Sequence, residues 1–340
     1  MSQQGLFDVE NRLLDLSQLK DPLEILEKRI PWEVFRRDLE RALRKEKQSP
    51  AGRRPYDAVL MFKTLILQSL YALSDHQTEF QIKDRFSFMR FLGLGTADKV
   101  PDQKTIWLYR EILAKAGAFE RLFERFEGYL CGAGYKAKKG MIVDATIVEV
   151  PRMRNSREEN EQIKEGEVPK SLAENKNALR QKDLDARWTQ KRGQNYFGYK
   201  DHVNVDAKHK LIRKYTVTPA HVHDSVELEG LLDPWNTAGV VYGDSAYGSR
   251  EKEEKLGELG YVFRFNRKGH RGHPLTDGQK RRNRRMSRIR ARVEHAFGWM
   301  ERKTKGVLTR GIGRIRIAAK IGLRNLVYNL DRYAYLEGIA

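Results

Sequence analysis

The apolar positions of this chain change period once along its length. Up to about residue 130 they recur at helical spacing, and from residue 141 they come as short unbroken runs and alternations. In the first regime, residues 1–50 read as charged helices, one opening at Pro31 and Trp32 and carrying Phe35, Leu39 and Leu43 on one face. Residues 48–55 form a turn-rich basic break. Residues 56–130 read as a helical bundle, with Leu60, Leu65, Ile66, Leu70 and Leu73 on one face. Ser74 and Asp75 cap a helix running through Phe80, Ile82, Phe86 and Met89, which Gly93 and Gly95 end. Pro101 and Asp102 then open a helix over 103–116. This succession fits a helix-turn-helix, with Lys104, Thr105 and Arg110 facing DNA, or equally a plain helical scaffold.

The second regime begins with a strand over 141–150, followed by an almost wholly polar stretch, 152–192, read as an extended or mobile excursion. A hairpin over 198–206 and 210–218 follows, turning at 206–209. Next come a short helix at 226–232, strands at 239–244 and 261–265, and helices at 251–259, 280–305 and 317–337. The expectation is a helical N-terminal domain, 1–130, and a mixed α/β domain, 138–340.

Charge narrows the function. Lys and Arg number 65 against 46 Asp and Glu, a formal net charge of +19 that calls for a polyanionic partner. Cys131 is the only cysteine, which excludes a disulfide framework and a cysteine-rich zinc module and fits a reducing cytoplasm. No apolar stretch is long enough to span a bilayer, so no membrane partner is expected. Met1 to Gly5 has neither the basic nor the apolar region of a secretory signal.

Against that background, acids in apolar surroundings stand out. Asp144 interrupts the run from Met141 to Val148, and a buried carboxylate costs several kcal/mol unless its charge is paired. Asp244 ends the apolar run that starts at Val240, and Glu294 sits in a helical stretch whose other faces are apolar or basic. Taken singly, each has a plain explanation: an ion-pair partner, a turn residue, and a neighbour of Arg290 one helical turn away. Together they match what phosphodiester chemistry needs, converging carboxylates on rigid elements that hold two divalent ions, provided the two strands are neighbours. Magnesium prefers such oxygen donors. Glu149 faces the opposite side of its strand from Asp144, while Asp201, Asp206 and Asp224 lie near strand ends.

Basic residues concentrate nearby. Between Arg267 and Arg292 stand 11 Lys or Arg residues and one acid, Asp277. Arg281, Arg284, Arg285, Arg288 and Arg292 surround an apolar stripe of Ile289, Val293, Ala296, Phe297 and Met300. A merely solvated face would mix signs, so phosphate contact is the better reading. Aromatics interleave with cations at Arg187, Trp188, Lys191, Arg192, Tyr196 and Lys200, an arrangement suited to phosphates and a stacked base or sugar. His202, His221, His223 and His295 lack the paired spacing of a zinc site. Gly243 and Gly248 are not followed by the Lys-Ser or Lys-Thr of a phosphate loop.

These residues carry a resemblance. From Arg54, Pro55 and Tyr56 nearly to the C-terminus the chain resembles bacterial insertion-sequence DDE transposases of the insertion-sequence-five family. The shared stretches in the N-terminal part are Tyr71, Leu73, Ser74 and Asp75, then Pro101, Asp102 and Thr105. Those that follow are Val143 to Glu149, Tyr196 to Lys200 with His202, Val205 to Lys208, and Ala220 with Val222, His223 and Asp224. The last are Gly243 and Asp244 with Ala246 and Tyr247, and Arg290 to His295 with Phe297. The resemblance implies an RNase H-like catalytic core, with Asp144, Asp244 and Glu294 as the metal-binding catalytic triad. It implies cleavage at terminal inverted repeats and transfer of the 3′-hydroxyl ends into target DNA. The cofactor would be two Mg²⁺ ions, with Mn²⁺ able to substitute. A dimer on double-stranded DNA follows from the need to join two ends. Near the glutamate, related elements often carry Tyr, Arg and Lys: Arg290 matches, Ser287 stands where the Tyr is often found, and Glu301 takes the Lys position with Arg302 and Lys303 beside it. Two other classes remain open from sequence: a non-catalytic DNA-binding regulator or domesticated remnant, and a structure-specific nuclease that cuts without joining.

Overall fold

The computed structural model describes residues 7–44, 55–248, 250–269, 271–303 and 310–339. Met1 to Gly5, the basic break up to Arg54 and positions 304–305 of the expected 280–305 helix lie outside the described residues. The chain divides into two compact units, Met1–Gly128 with Leu326–Ala340, and Tyr129–Asn325. The division differs from the sequence expectation because the end of the last helix belongs with the N-terminal unit.

The first unit is helical. It contains α1 (Asp8–Gln18), α2 (Pro22–Arg29), α3 (Arg36–Leu43), α4 (Ala58–Leu70), α5 (Asp75–Asp84), α6 (Phe86–Leu92), α7 (Gln103–Lys115) and most of α8 (Ala118–Gly132). Helix α4 is buried on nearly every side, which its run of Leu, Ile, Met and Phe permits. Trp32 and Phe35 pack on Phe62 of α4, Phe91 on Trp32 and Phe126 on Phe35. Lys63 on α4 survives burial because Glu27 takes its ammonium at 2.7 Å and the Phe91 carbonyl accepts at 3.2 Å. Ser74 forms a capping box with Gln77, and Asp102 caps α7 at the Thr105 N–H, as the sequence predicts. The single helix expected from 75 to 92 is broken at Arg85, an extended residue at ψ 118°.

The second unit is built on a six-stranded mixed sheet. Its strands are β1 (Met141–Glu149), β2 (Arg187–Lys191), β3 (Gln194–Asp206), β4 (Ile212–Pro219), β5 (Val240–Gly243) and β6 (Val262–Phe265). The order is β2-β3-β1-β5-β6, with β4 also pairing β3. β1 is antiparallel to β3 and parallel to β5, and β5 is parallel to β6. The helices are α9 (Arg157–Lys164), α10 (Lys170–Glu174), α11 (Lys176–Leu179), α12 (Leu228–Leu231), α13 (Arg250–Glu258), α14 (Asp277–Arg290), α15 (Glu294–Lys303) and α16 (Arg314–Ile339), whose last residues, from Leu326, belong to the first unit. One core joins Met141, Val143 and Val241 to Leu228, Leu231, Tyr247 and Leu256. The other joins Val148, Tyr199 and Val217 to Ile317 and Ile321 of α16. No helix among the described residues is long and apolar enough to cross a membrane.

Two expectations need correction. The stretch 152–192 is not an extended excursion: it folds into α9, α10, α11 and β2, with Ile163, Leu172, Asp183 and Ala186 buried. The anchor is Asp183, whose carboxylate accepts from the Tyr199 hydroxyl at 2.7 Å, from the Ala186 N–H and from the Gly313 N–H. Its polarity hid these elements because they are short and bury few side chains each. The helix expected over 280–305 is broken at 291–293, where Val293 N–H bonds Arg290 C=O and Glu294 N–H bonds Ala291 C=O, a tighter three-residue winding.

Glycine is required where β3 pairs with the end of β1, at Gly198 opposite Glu149. Gly198 has φ +154°, and a Cβ there would be driven into the Val148 carbonyl oxygen. Deeper in the sheet, Asp201 is wholly buried against Arg324 at 3.4 Å and Asn325 at 3.1 Å. Burial pushes its carboxyl up to about 6, with Arg324 pulling the other way. A raised carboxyl favours the folded state while protonated, so that stability is full below about pH 3.8 and lost as pH rises through about 6. Asp201→Asn is therefore expected to flatten the dependence of unfolding free energy on pH between 4 and 7, by about 2 kcal/mol. Urea melts of both proteins across that window check it; parallel profiles would refute the assignment.

Candidate active site

Asp144 lies in the middle of β1, between β3 and β5, on the face shared with Val148. Its side chain is only 14% exposed. The Ala145 N–H donates to Oδ1 at 2.9 Å, and Arg290 Nε donates to Oδ2 at 3.4 Å. Burial raises the Asp144 carboxyl above the ordinary range; Arg290 opposes the rise, and the charge of Asp244 adds to it.

Asp244 follows β5 directly. Gly243 makes that approach possible, since a Cβ there would meet Phe265 at 2.9 Å and Val143 at 3.1 Å. The Asp244 carboxylate accepts the Ala246 N–H at 2.8 Å, which holds the turn leaving the strand. The condition set by the sequence, that the two aspartate-bearing strands be neighbours, is met by the parallel β1–β5 pairing. Glu294 is placed differently. It is exposed at the first turn of α15, just past the 291–293 break. Among the described residues no three His, Cys, Asp or Glu side chains converge as a metal cage. The structure thus brings Asp144 and Asp244 together, sets Arg290 against Asp144, and leaves Glu294 outside the pair.

A buried polar cluster lies on the other face of the sheet from Asp144, since Lys200 and His202 stand across from Ile147 and Ala145. Lys200 donates to Asp224 at 2.7 Å and to the Val222 carbonyl at 2.8 Å. His202, wholly buried, meets Thr218 through Nε2 at 2.8 Å, and burial lowers it to about 4, so it is neutral at physiological pH. Tyr247 is buried too, and burial, then the charges of Asp224, Asp144 and Asp244, push its hydroxyl far up. Sequence reasoning noted Asp224 and Lys200 without joining them. The available signal was that Lys200, His202, Asp224 and Tyr247 all fall in the stretches that carry the resemblance.

The expected DNA contacts separate into groups. Arg281, Arg284, Arg285 and Arg288 are exposed along α14, and Arg302 and Lys303 are exposed at the end of α15. Arg292 donates to the Ala207 carbonyl. Lys191 and Arg192 are exposed at the β2–β3 turn, which Arg192 (φ 52°) and Gly193 (φ 79°) close in left-handed conformation. Trp188 is 50% exposed, tilted on Phe197 at 5.2 Å with the Arg152 guanidinium 5.5 Å from its ring. Lys104 is exposed and Thr105 half-buried. Others have internal work as well: Lys200 is held by Asp224 and Arg290 by Asp144. Arg187 donates to the carbonyls of Ile163, Leu184 and Ala186, tying α9 to β2. Arg110 grips both oxygens of Asp75, at 2.5 and 2.8 Å, and the Gln68 side chain. Arg110→Ala is expected to destabilise the helical unit by about 1–3 kcal/mol, because it strands Asp75. It should leave the salt dependence of DNA binding unchanged; a shallower dependence with an unchanged melt would restore Arg110 to the DNA surface.

Comparison with known proteins finds relatives over most of the chain. The family model described as a transposase DDE domain matches residues 135–330, and one described as a transposase domain matches residues 11–111. A transposase for the insertion sequence element IS1106, from Neisseria meningitidis serogroup B, is 33% identical over 228 residues, covering 66% of this chain and 76% of that protein. Among solved structures, a cryo-EM synaptic complex of the piggyBac transposase with hairpin DNA matches with a TM-score of 0.48 at 12% identity, over 93% of this chain and 75% of that one.

Proposed function

Because this chain belongs to the DDE transposases, DNA-acting enzymes with an RNase H-like core, we propose that it cuts DNA at the terminal inverted repeats of an insertion sequence and joins the freed 3′-hydroxyl ends to target DNA. The observation that carries this reading is the pairing of Asp144 and Asp244 on adjacent parallel strands, with Arg290 as their only close cation partner by hydrogen bond or ion pair among the described residues. Two like-charged carboxylates, one of them buried, fit a hard divalent cation in their donor chemistry. We assign Asp144 and Asp244 to hold a pair of Mg²⁺ ions, Mn²⁺ substituting, and Glu294 as the third carboxylate. When bound, such ions would activate the attacking hydroxyl and stabilise the leaving oxygen.

The protein's own part is positioning and charge. Arg290 balances Asp144 and holds the end of α14 against β1. Lys200, fixed by Asp224, holds a cation on β3 on the other face of the sheet from Asp144. Arg281, Arg284, Arg285 and Arg288 grip backbone near the scissile phosphate, and Trp188, Lys191 and Arg192 take the strand at the hairpin. The helical unit recognises the transposon end, with Lys104 and Thr105 on α7 as contacts. Two copies assemble on DNA in the cytoplasm. The test is an Mg²⁺-dependent assay on labelled duplexes carrying the element's terminal repeats. Site-specific nicks with joined products support the proposal. Binding without chemistry in Mg²⁺ or Mn²⁺ would mark a regulator, and cutting without joining a nuclease.

A further inference from the structure

At the ends of β5 and β6 a cleft of about 850 Å³ opens directly beside the turn that carries Asp244, with Ser245, Ala246 and Gly248 in its lining. Phe263 and Phe265, packed at 5.2 Å, form part of its wall. Arg267, Lys268 and Arg282 also line it, and none of these three side chains has an ionic or hydrogen-bonding partner among the described residues. Glu253 and Glu254 line it as well, but Glu254 is paired with Arg250 at 2.9 Å. The cationic loop is braced. Asn283 on α14 accepts the Arg267 N–H at 3.0 Å and donates to the Arg267 carbonyl at 2.8 Å, so its amide clamps that residue's main chain as a paired strand would. Asn266 donates to Ser287 on the same helix at 3.1 Å. Ser287 stands where related elements often carry Tyr, and here its hydroxyl serves to tether this loop.

Three unpaired cations on a clamped loop and a helix flank are costly to gather without a polyanion, since like charges repel. Continuity with the Asp244 turn says which polyanion. We propose that this cleft is a phosphate track for the DNA strand that carries the reacting phosphate at Asp144 and Asp244. Arg267, Lys268 and Arg282 hold the backbone next to the cut. The proposal rests on the transposase reading above.

The experiment measures binding of the full chain to terminal-repeat duplexes over a range of NaCl concentrations. It compares wild type with the Arg267→Ala, Lys268→Ala, Arg282→Ala triple variant. Each duplex is made in forms where one phosphate near the cut is a neutral methylphosphonate. Losing three phosphate contacts should make the log–log salt slope shallower by about 2–3. Methylphosphonates next to the cut should weaken wild type and leave the variant, already lacking those contacts, indifferent. A second variant, Lys136→Ala, Lys138→Ala, Lys139→Ala, removes the same charge from exposed positions before β1 and should keep the wild-type methylphosphonate profile. Thermal melts report whether the variants fold; since two of the three cleft side chains are exposed and Arg282 half-buried, the melts should coincide. If wild type binds and cuts while the cleft variant keeps its slope and its methylphosphonate profile, the cleft assignment falls and the transposase reading stands. If wild type neither binds nor cuts these duplexes, both fall.

Discussion

Asp144→Asn is expected to reduce cleavage and strand transfer at least about a thousandfold, some 4 kcal/mol of transition-state stabilisation, while DNA affinity changes little. The substitution keeps the shape of the side chain and removes the charge that a divalent ion needs. Its effect on stability should have the opposite sign to its effect on activity. Burial raises the Asp144 carboxyl, so the ionised form at neutral pH costs folding free energy, and an amide relieves that cost. Arg290 loses a partner, but its side chain is 30% exposed and finds water. The melting temperature should therefore hold or rise as activity disappears, the trade expected of a site that stores strain for function. Retained cleavage would remove Asp144 from the chemistry. A lost activity accompanied by a lower melting temperature would mean that Asp144 is structural.

Gly198→Ala is expected to be the most damaging single methyl group that could be added to the sheet. The residue occupies a positive φ of +154°, and the new Cβ would collide with main chain of β1, not with a side chain able to move aside. Backbone strain and clash together should cost about 3 kcal/mol or more. The collision falls on Val148 and Glu149, a few residues along the strand from Asp144, so the variant should lose activity with stability. Urea unfolding midpoints and soluble yield measure it; a wild-type midpoint would contradict the described pairing of Glu149 with Gly198.

How much of this was legible in the sequence follows from the length scale of each signal. The hairpin turn at 206–209 was readable because Asp206 is a turn residue between two alternating runs, and its carboxylate does accept the Lys208 and His209 N–H groups. The Asp144 and Asp244 strands were readable because a carboxylate inside an apolar run is costly and so conspicuous. The break at 291–293 was not, because Ala291, Arg292 and Val293 carry no Pro or Gly to announce it. Arg187 and Arg110 misled for one shared reason. Charge counts show where cations are, while only folding shows which carbonyl or carboxylate uses them. The contact of Arg290 with Asp144 spans a sequence distance no local pattern encodes. The same is true of the Asn283 clamp on Arg267.

The first compact unit is discontinuous, and this has a consequence for synthesis. Tyr333, near the end of the chain, meets Phe126 edge-on at 5.8 Å inside that unit, and Tyr328 and Leu330 are buried with it. A growing polypeptide folds from its N-terminus as it leaves the ribosome. The helices of residues 8–128 therefore complete their packing, with Tyr333 on Phe126, only once residues 326–339 have been made. By then every strand of the sheet and every acid of the candidate triad has already emerged. A ribosome that stops early releases a chain whose helical unit is unfinished, so the competence of that unit is tied to completed translation of the sheet that precedes its last segment.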